Sequence, residues 1–138
     1  ADMIGASLAI LHKLRPAHNI AETTRDIIGE VEGKDAIIID DMIDTGGTIL
    51  DGAEVLFSKG AKDVYVCATH AILSGTAVEK FKSSSLKEVV LTNTIPISEE
   101  KLIEKFTVLS IAPLLADAIR SVYEDESVSE KFGGDNQP

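Results

Sequence analysis

Short apolar runs recur along the chain, each closed by a polar or glycine-bearing stretch, and their lengths and periods predict alternating strands and helices. The continuous run Ser7-Leu8-Ala9-Ile10-Leu11 reads as a buried strand. Residues 13–19, with Pro16 in their midst, interrupt regular structure. Residues 27–34 predict a strand ended by a turn at Gly33, and Ala36-Ile37-Ile38-Ile39 has the composition of a central parallel strand covered on both faces. A loop is expected over residues 40–47. Apolar positions Ile49, Ala53, Leu56 and Phe57 then place a helix over 48–59, with Gly60 as its C′ residue. The alternation repeats: a second covered strand over 64–68, a short helix over 75–81, and strands over 88–92 and 106–109. A closing helix over 111–123 carries Leu114, Leu115, Ala118, Ile119 and Val122, with Pro113 in the first turn, where a missing N–H costs little. Strands alternating with helices predict an α/β fold, a mostly parallel sheet flanked by helices.

Length and charge narrow the function classes. A chain of 138 residues is long enough for one domain with a real core. Twenty-three acidic against 13 basic residues give a net charge of −10. That excess argues against a nucleic-acid partner, which needs a basic face, but backbone amides can still bind a small anion locally. The lone Cys67 cannot form an internal disulfide, so a reducing, cytoplasmic setting is expected. No stretch approaches the roughly 18 apolar residues of a membrane span, and no membrane partner is expected. Residues 133–138 read as a polar tail.

The chemistry concentrates in Asp40-Asp41-Met42-Ile43-Asp44-Thr45-Gly46-Gly47-Thr48. Parallel strands present ligands at their carboxyl ends, where Asp40 and Asp41 fall. Gly46 and Gly47 allow a tight turn with exposed amides, and the next helix points its free N–H groups and positive dipole end into the same loop. Thr45 and Thr48 add hydroxyls. Such a cradle suits a phosphate dianion, and the upstream carboxylates suit vicinal hydroxyls, which can donate to them. The bland alternative, a strand end followed by an ordinary turn and helix cap, explains each residue singly but not the whole string in its strand–loop–helix setting.

The string resembles the loop that binds phosphoribosyl pyrophosphate in type I phosphoribosyltransferases and ribose-phosphate pyrophosphokinases. The resemblance implies that Asp40 and Asp41 hold the ribose 2′- and 3′-hydroxyls, and that Asp44, Thr45, Gly46, Gly47 and Thr48 serve the 5′-phosphate. Further segments resemble the pyrophosphokinase family specifically: Lys13-Leu14-Arg15-Pro16, residues 28–34, 69–75, 92–96, 109–116 and 126–129. That family transfers the β,γ-diphosphoryl group of ATP to O1 of ribose 5-phosphate, with Lys13 and Arg15 as the implied catalytic cations on a flexible segment. Mg2+ is the implied cofactor, its ligands largely outside this chain, and no metal-ligating residue is assigned here.

The same resemblance implies a homo-oligomer, and an effector site formed in part by Ser127, Val128, Ser129 and Phe132. It makes residues 1–132 a partial carboxy-terminal domain of phosphoribosyltransferase type, lacking its opening strand, with the ATP site supplied by an amino-terminal domain. The fragment alone is then expected to be inactive. Some positions depart from the family pattern: His12 and Leu14 replace an acid and an arginine, residues 22–26 are one residue longer than usual, and Ala71 replaces a proline. His12 and His70 are read as structural. Two alternatives stand beside the enzyme: a non-catalytic regulatory relative, and a type I phosphoribosyltransferase, for which no base-recognising segment remains.

Overall fold

The computed structural model describes residues 5–13 and 25–132. Four strands, β3 (Ala36–Ile43), β4 (Val64–Ala71), β5 (Glu88–Thr92) and β6 (Phe106–Leu109), form one all-parallel sheet in the order β3-β4-β5-β6. Ahead of it, β1 (Ile10–Lys13) and β2 (Arg25–Ile28) make a separate antiparallel ribbon. The described residues also form three α-helices, α1 (Gly47–Ser58), α2 (Ala77–Ser83) and α3 (Ala112–Tyr123). The expected α/β architecture is present. The described residues contain no helix long and apolar enough to cross a membrane.

Strand order decides which face of the sheet is covered. Each strand lies beside its predecessor in one direction, and right-handed crossovers then put α1 and α2 on the same face. That face carries the registered row Ile38, Val66, Val89 and Phe106, together with Ile49, Ala53 and Leu56 of α1 and Ala77 and Phe81 of α2. Phe81 is fully buried and meets Phe106 edge-to-face, with centroids 5.9 Å apart. The opposite face holds Ile37 and Ile39, 50% and 78% exposed, alongside partly exposed Tyr65, Cys67 and Val90. Residues 36–39 are expected to be covered on both faces, and among the described residues only one face is covered. Composition reports what a strand could bury, whereas among the described residues β3 lies at the edge of the sheet with every crossover on one side.

The first strand also departs from expectation. Residues 7–9 are not strand, and Leu8, Ile10 and Leu11 are exposed rather than buried. The run is used in a two-stranded ribbon, not in the sheet, with Ile10 opposite Ile28 and Lys13 opposite Arg25. Gly52 gives that ribbon a seat on α1, since a Cβ there would lie only 3.1 Å from Leu11 Cδ2. Residues 31–34 form a turn instead of prolonging β2, closed by Lys34 N–H to Val31 O at 3.1 Å.

Helix ends follow local chemistry. The N–H groups of Gly60 and Ala61 donate to the carbonyls of Phe57 and Leu56, and Gly60 has φ 85°, the left-handed C′ residue that the sequence predicts. The start of α2 moves two residues past Gly75, whose φ of 58° cannot continue into a helix. Helix α3 buries Ser121 and leaves Leu114, Leu115, Ile119 and Val122 at least half exposed. The polar tail expected over 133–138 lies outside the described residues.

Candidate functional site

Strand β3 runs four residues further than the apolar run predicts, because β4 extends with it: Asp40 pairs with Ala68, Met42 with His70 and Ile43 with Ala71. Asp40 and Asp41 are thus strand residues and not loop residues, and the loop begins at Asp44. Asp40 is half-buried and its Oδ1 accepts the Asp41 N–H at 2.9 Å, while Asp41 is exposed.

The turn after Asp44 is set by Gly46, whose φ is 74°. A Cβ at this residue would stand 2.5 Å from Phe81 Cε2. Glycine is required here twice over, for the left-handed backbone and for the ring pressed against it. Leu50 N–H donates to Gly46 O at 3.0 Å, closing the first turn of α1. The amides of Gly47, Thr48 and Ile49 consequently have no intrahelical acceptor. No acidic residue occupies that first turn, so the positive end of the helix dipole is not offset locally. Residues 40–49 line one cleft of about 220 Å³. The structure gathers Asp40, Asp41, Asp44, Thr45, Gly46, Gly47 and Thr48 around it.

The remaining expected site residues do not line this cleft or are not described. Lys13 ends β1, and only its backbone is described. Arg15 lies outside the described residues. Ser127, Val128 and Ser129 follow α3, which starts from β6 at the sheet edge opposite β3; Ser127 Oγ and Ser129 Oγ are 2.9 Å apart. Phe132 ends the short 3₁₀ turn Ser129–Phe132.

Beside the cleft, threonines at the ends of the strands tie down His70. Thr94 Oγ1 and Thr92 Oγ1 both donate to Thr69 O, at 2.8 and 2.6 Å. With its hydrogen committed, Thr94 Oγ1 accepts from His70 Nδ1–H at 2.9 Å. The loop motif does not disclose what supports it, Phe81 beneath Gly46 and the turn over residues 72–74. Phe81 is legible only as an apolar position of a short helix, and its target lies 35 residues back along the chain.

Hard oxygen donors such as Asp40 and Asp41 suit Mg2+. Among the described residues, no three His, Cys, Asp or Glu side chains form a metal cluster, so the pair could supply only part of a coordination shell. Elsewhere, burial and, to a lesser degree, the neighbouring Glu88 carboxylate push the Cys67 thiol above its usual range, which makes it a poor nucleophile.

Comparison with known proteins places the chain. Residues 9–133 match a family model described as the phosphoribosyl synthetase-associated domain. The chain is 54% identical over 132 residues to the ribose-phosphate pyrophosphokinase of Halalkalibacterium halodurans, covering 96% of this chain and 42% of that protein. Identity to the enzyme so named in Bacillus subtilis is 53%, covering 96% and 41%. Among solved structures it is similar to phosphoribosylpyrophosphate synthetase from Mycobacterium smegmatis, with TM-score 0.80, 46% identity, and coverage of 90% of this chain and 39% of that one. The chain spans about two fifths of the length of these relatives. It belongs to the ribose-phosphate pyrophosphokinase (phosphoribosyl pyrophosphate synthetase) family.

Proposed function

We propose that this chain forms the ribose 5-phosphate side of a ribose-phosphate diphosphokinase active site. The observation that carries the reading is a single cleft lined by residues 40–49, with a carboxylate pair at its strand end and the free amides of α1 at the other. In this reading Asp40 and Asp41 accept hydrogen bonds from the ribose hydroxyls. The amides and hydroxyls from Thr45 to Thr48 wrap the 5′-phosphate. O1 of the sugar forms a bond to the β-phosphorus of ATP, and the bond from that phosphorus to the oxygen shared with the α-phosphate breaks. AMP leaves with that oxygen, and the O1 proton passes to solvent.

Such a transfer demands positioning and charge neutralisation more than covalent help. Lys13 and Arg15 are the cations for it, the guanidinium forking across phosphate oxygens and the ammonium acting as a point charge. Mg2+, held partly through Asp40 or Asp41 and otherwise by groups outside this chain, would neutralise phosphate charge when bound. ATP is the second substrate, bound chiefly by the part of the enzyme that this chain does not span. The working form is a cytoplasmic homo-oligomer, in which Ser127, Val128, Ser129 and Phe132 contribute to an effector site.

Isothermal calorimetry with ribose 5-phosphate tests the loop assignment. Asp40→Asn combined with Thr48→Ala should weaken binding at least tenfold, having removed one charged acceptor and one hydroxyl donor. Equal affinity of the wild-type and doubly substituted chains would sink it.

A further inference from the structure

Asp44 sits in the signature of the loop, yet a carboxylate is a poor neighbour for a phosphate dianion. The structure gives it a different partner. Ser74 Oγ, from the connection between β4 and α2, donates to Asp44 Oδ1. The backbone doubles the link, since Ser74 N–H donates to Asp44 O at 3.1 Å. One residue back, the N–H groups of Ile72 and Leu73 both donate to Ile43 O at 3.0 Å. Three successive amides and one hydroxyl of residues 72–74 are therefore directed at Ile43 and Asp44, the hinge between β3 and the loop.

The turn that provides these donors is itself held in an unusual shape. Leu73 has φ 51°, a left-handed conformation rare for a residue with a branched side chain, although its side chain is only 1% exposed. Such a conformation persists where the surroundings over-determine it. Here the side chain is locked in the core and the N–H is bonded to Ile43 O. The carbonyl accepts from Lys101 Nζ at 2.9 Å, reaching in from the 3₁₀ turn Glu99–Lys101.

We propose that Ser74 and Lys101 are positioning residues for the ribose phosphate loop. Ser74 draws the Asp44 carboxylate toward the β4–α2 turn and away from the phosphate. Lys101 fixes the turn from behind through the Leu73 carbonyl. The phosphate is then met by the amides of residues 45–48 and not by a like charge, and Asp44 belongs to the support of the loop more than to its cradle. Neither residue follows from the loop motif, because Ser74 is 30 and Lys101 57 positions downstream of Asp44. This inference rests on the proposed ribose phosphate reading for its functional consequence, but not for the existence of the brace.

The test uses the chain with Ser74→Ala, Ser74→Thr and Lys101→Met, followed by two readouts. In the absence of ligand, hydrogen exchange of the amides of residues 72–74 reports the brace. Exchange should speed up about tenfold in Ser74→Ala and Lys101→Met, in line with the loss of one hydrogen bond each. The second readout is calorimetric titration with ribose 5-phosphate. Affinity should fall about tenfold in Ser74→Ala and in Lys101→Met, and return to within about threefold of wild type in Ser74→Thr, which keeps the hydroxyl. A purely structural serine would lower the denaturant midpoint without this split between alanine and threonine. Unchanged exchange in both Ser74→Ala and Lys101→Met overturns the brace, whatever the ligand does. Faster exchange with unchanged affinity overturns the positioning role. If the wild-type chain binds no ribose 5-phosphate, the functional reading fails by itself, and the exchange data still decide the brace.

Discussion

The two faces of the sheet present the same kinds of side chain and meet different fates. On the helix-covered face, Val66 and Val89 are fully buried and Phe81 closes over them from α2. On the other face, Ile37 and Ile39 of β3 stay half or more exposed. The site draws its rigidity from the first face. Phe81 is at once a core residue and the surface on which Gly46 turns, so packing and loop shape are one contact. The bare face contributes nothing comparable to the cleft. Apolar composition therefore measures a capacity for burial, whereas mechanical support for the site comes only from residues that the topology brings together.

This contrast can be broken or sharpened by substitution. The largest effect should come from Phe81→Ala, which leaves a cavity under the loop and is expected to cost about 3–5 kcal/mol in urea unfolding. The loss should carry through to Gly46, making the amides of residues 46–48 exchange faster than in wild type. A Phe81→Ala chain with normal loop exchange would separate core from site and break the comparison. On the bare face, Ile39→Thr should change stability by no more than about 0.5 kcal/mol, because the isoleucine is 78% exposed and a β-branched residue is retained. A loss above about 2 kcal/mol in the same unfolding assay would show that this face is covered in solution.

The smallest effect concerns α3, whose one buried residue is polar. Ser121 is 1% exposed, and its hydroxyl meets no hydrogen-bond partner among the described residues. Ser121→Ala should be neutral or stabilise by up to about 1 kcal/mol, since a hydroxyl buried without a partner is costly and alanine is the better helix former. Destabilisation would mean that the hydroxyl finds a partner.

Most elements of the parallel sheet were legible because their signals are local. The strands over 88–92 and 106–109 match their apolar runs, and α1 ends where Gly60 permits a left-handed residue. The composition of the loop over residues 44–47 was legible for the same reason, since strand end, glycine turn and helix start are consecutive. Two readings failed where position in the sheet matters more than composition. Residues 7–11 have the composition of a buried strand but run into an exposed ribbon, and 36–39 have the composition of a central strand but lie at the edge of the sheet among the described residues. The boundary of β3 was missed as well. Asp40 and Asp41 look like the start of a loop by polarity, and only their pairing with β4 keeps them in the strand.

By itself, then, the sequence determined the alternation of strands and helices, the cap that stops α1, and a strand end, glycine turn and helix start brought together in one loop. Each depends on residues within one or two turns of each other, so hydrophobic period and backbone preference suffice. Tertiary structure decided which face of the sheet is covered, how far β3 extends, and what holds the loop in shape. Those outcomes depend on Phe81 meeting Gly46, Ser74 meeting Asp44 and Lys101 meeting Leu73, contacts between distant parts of the chain that no local pattern encodes.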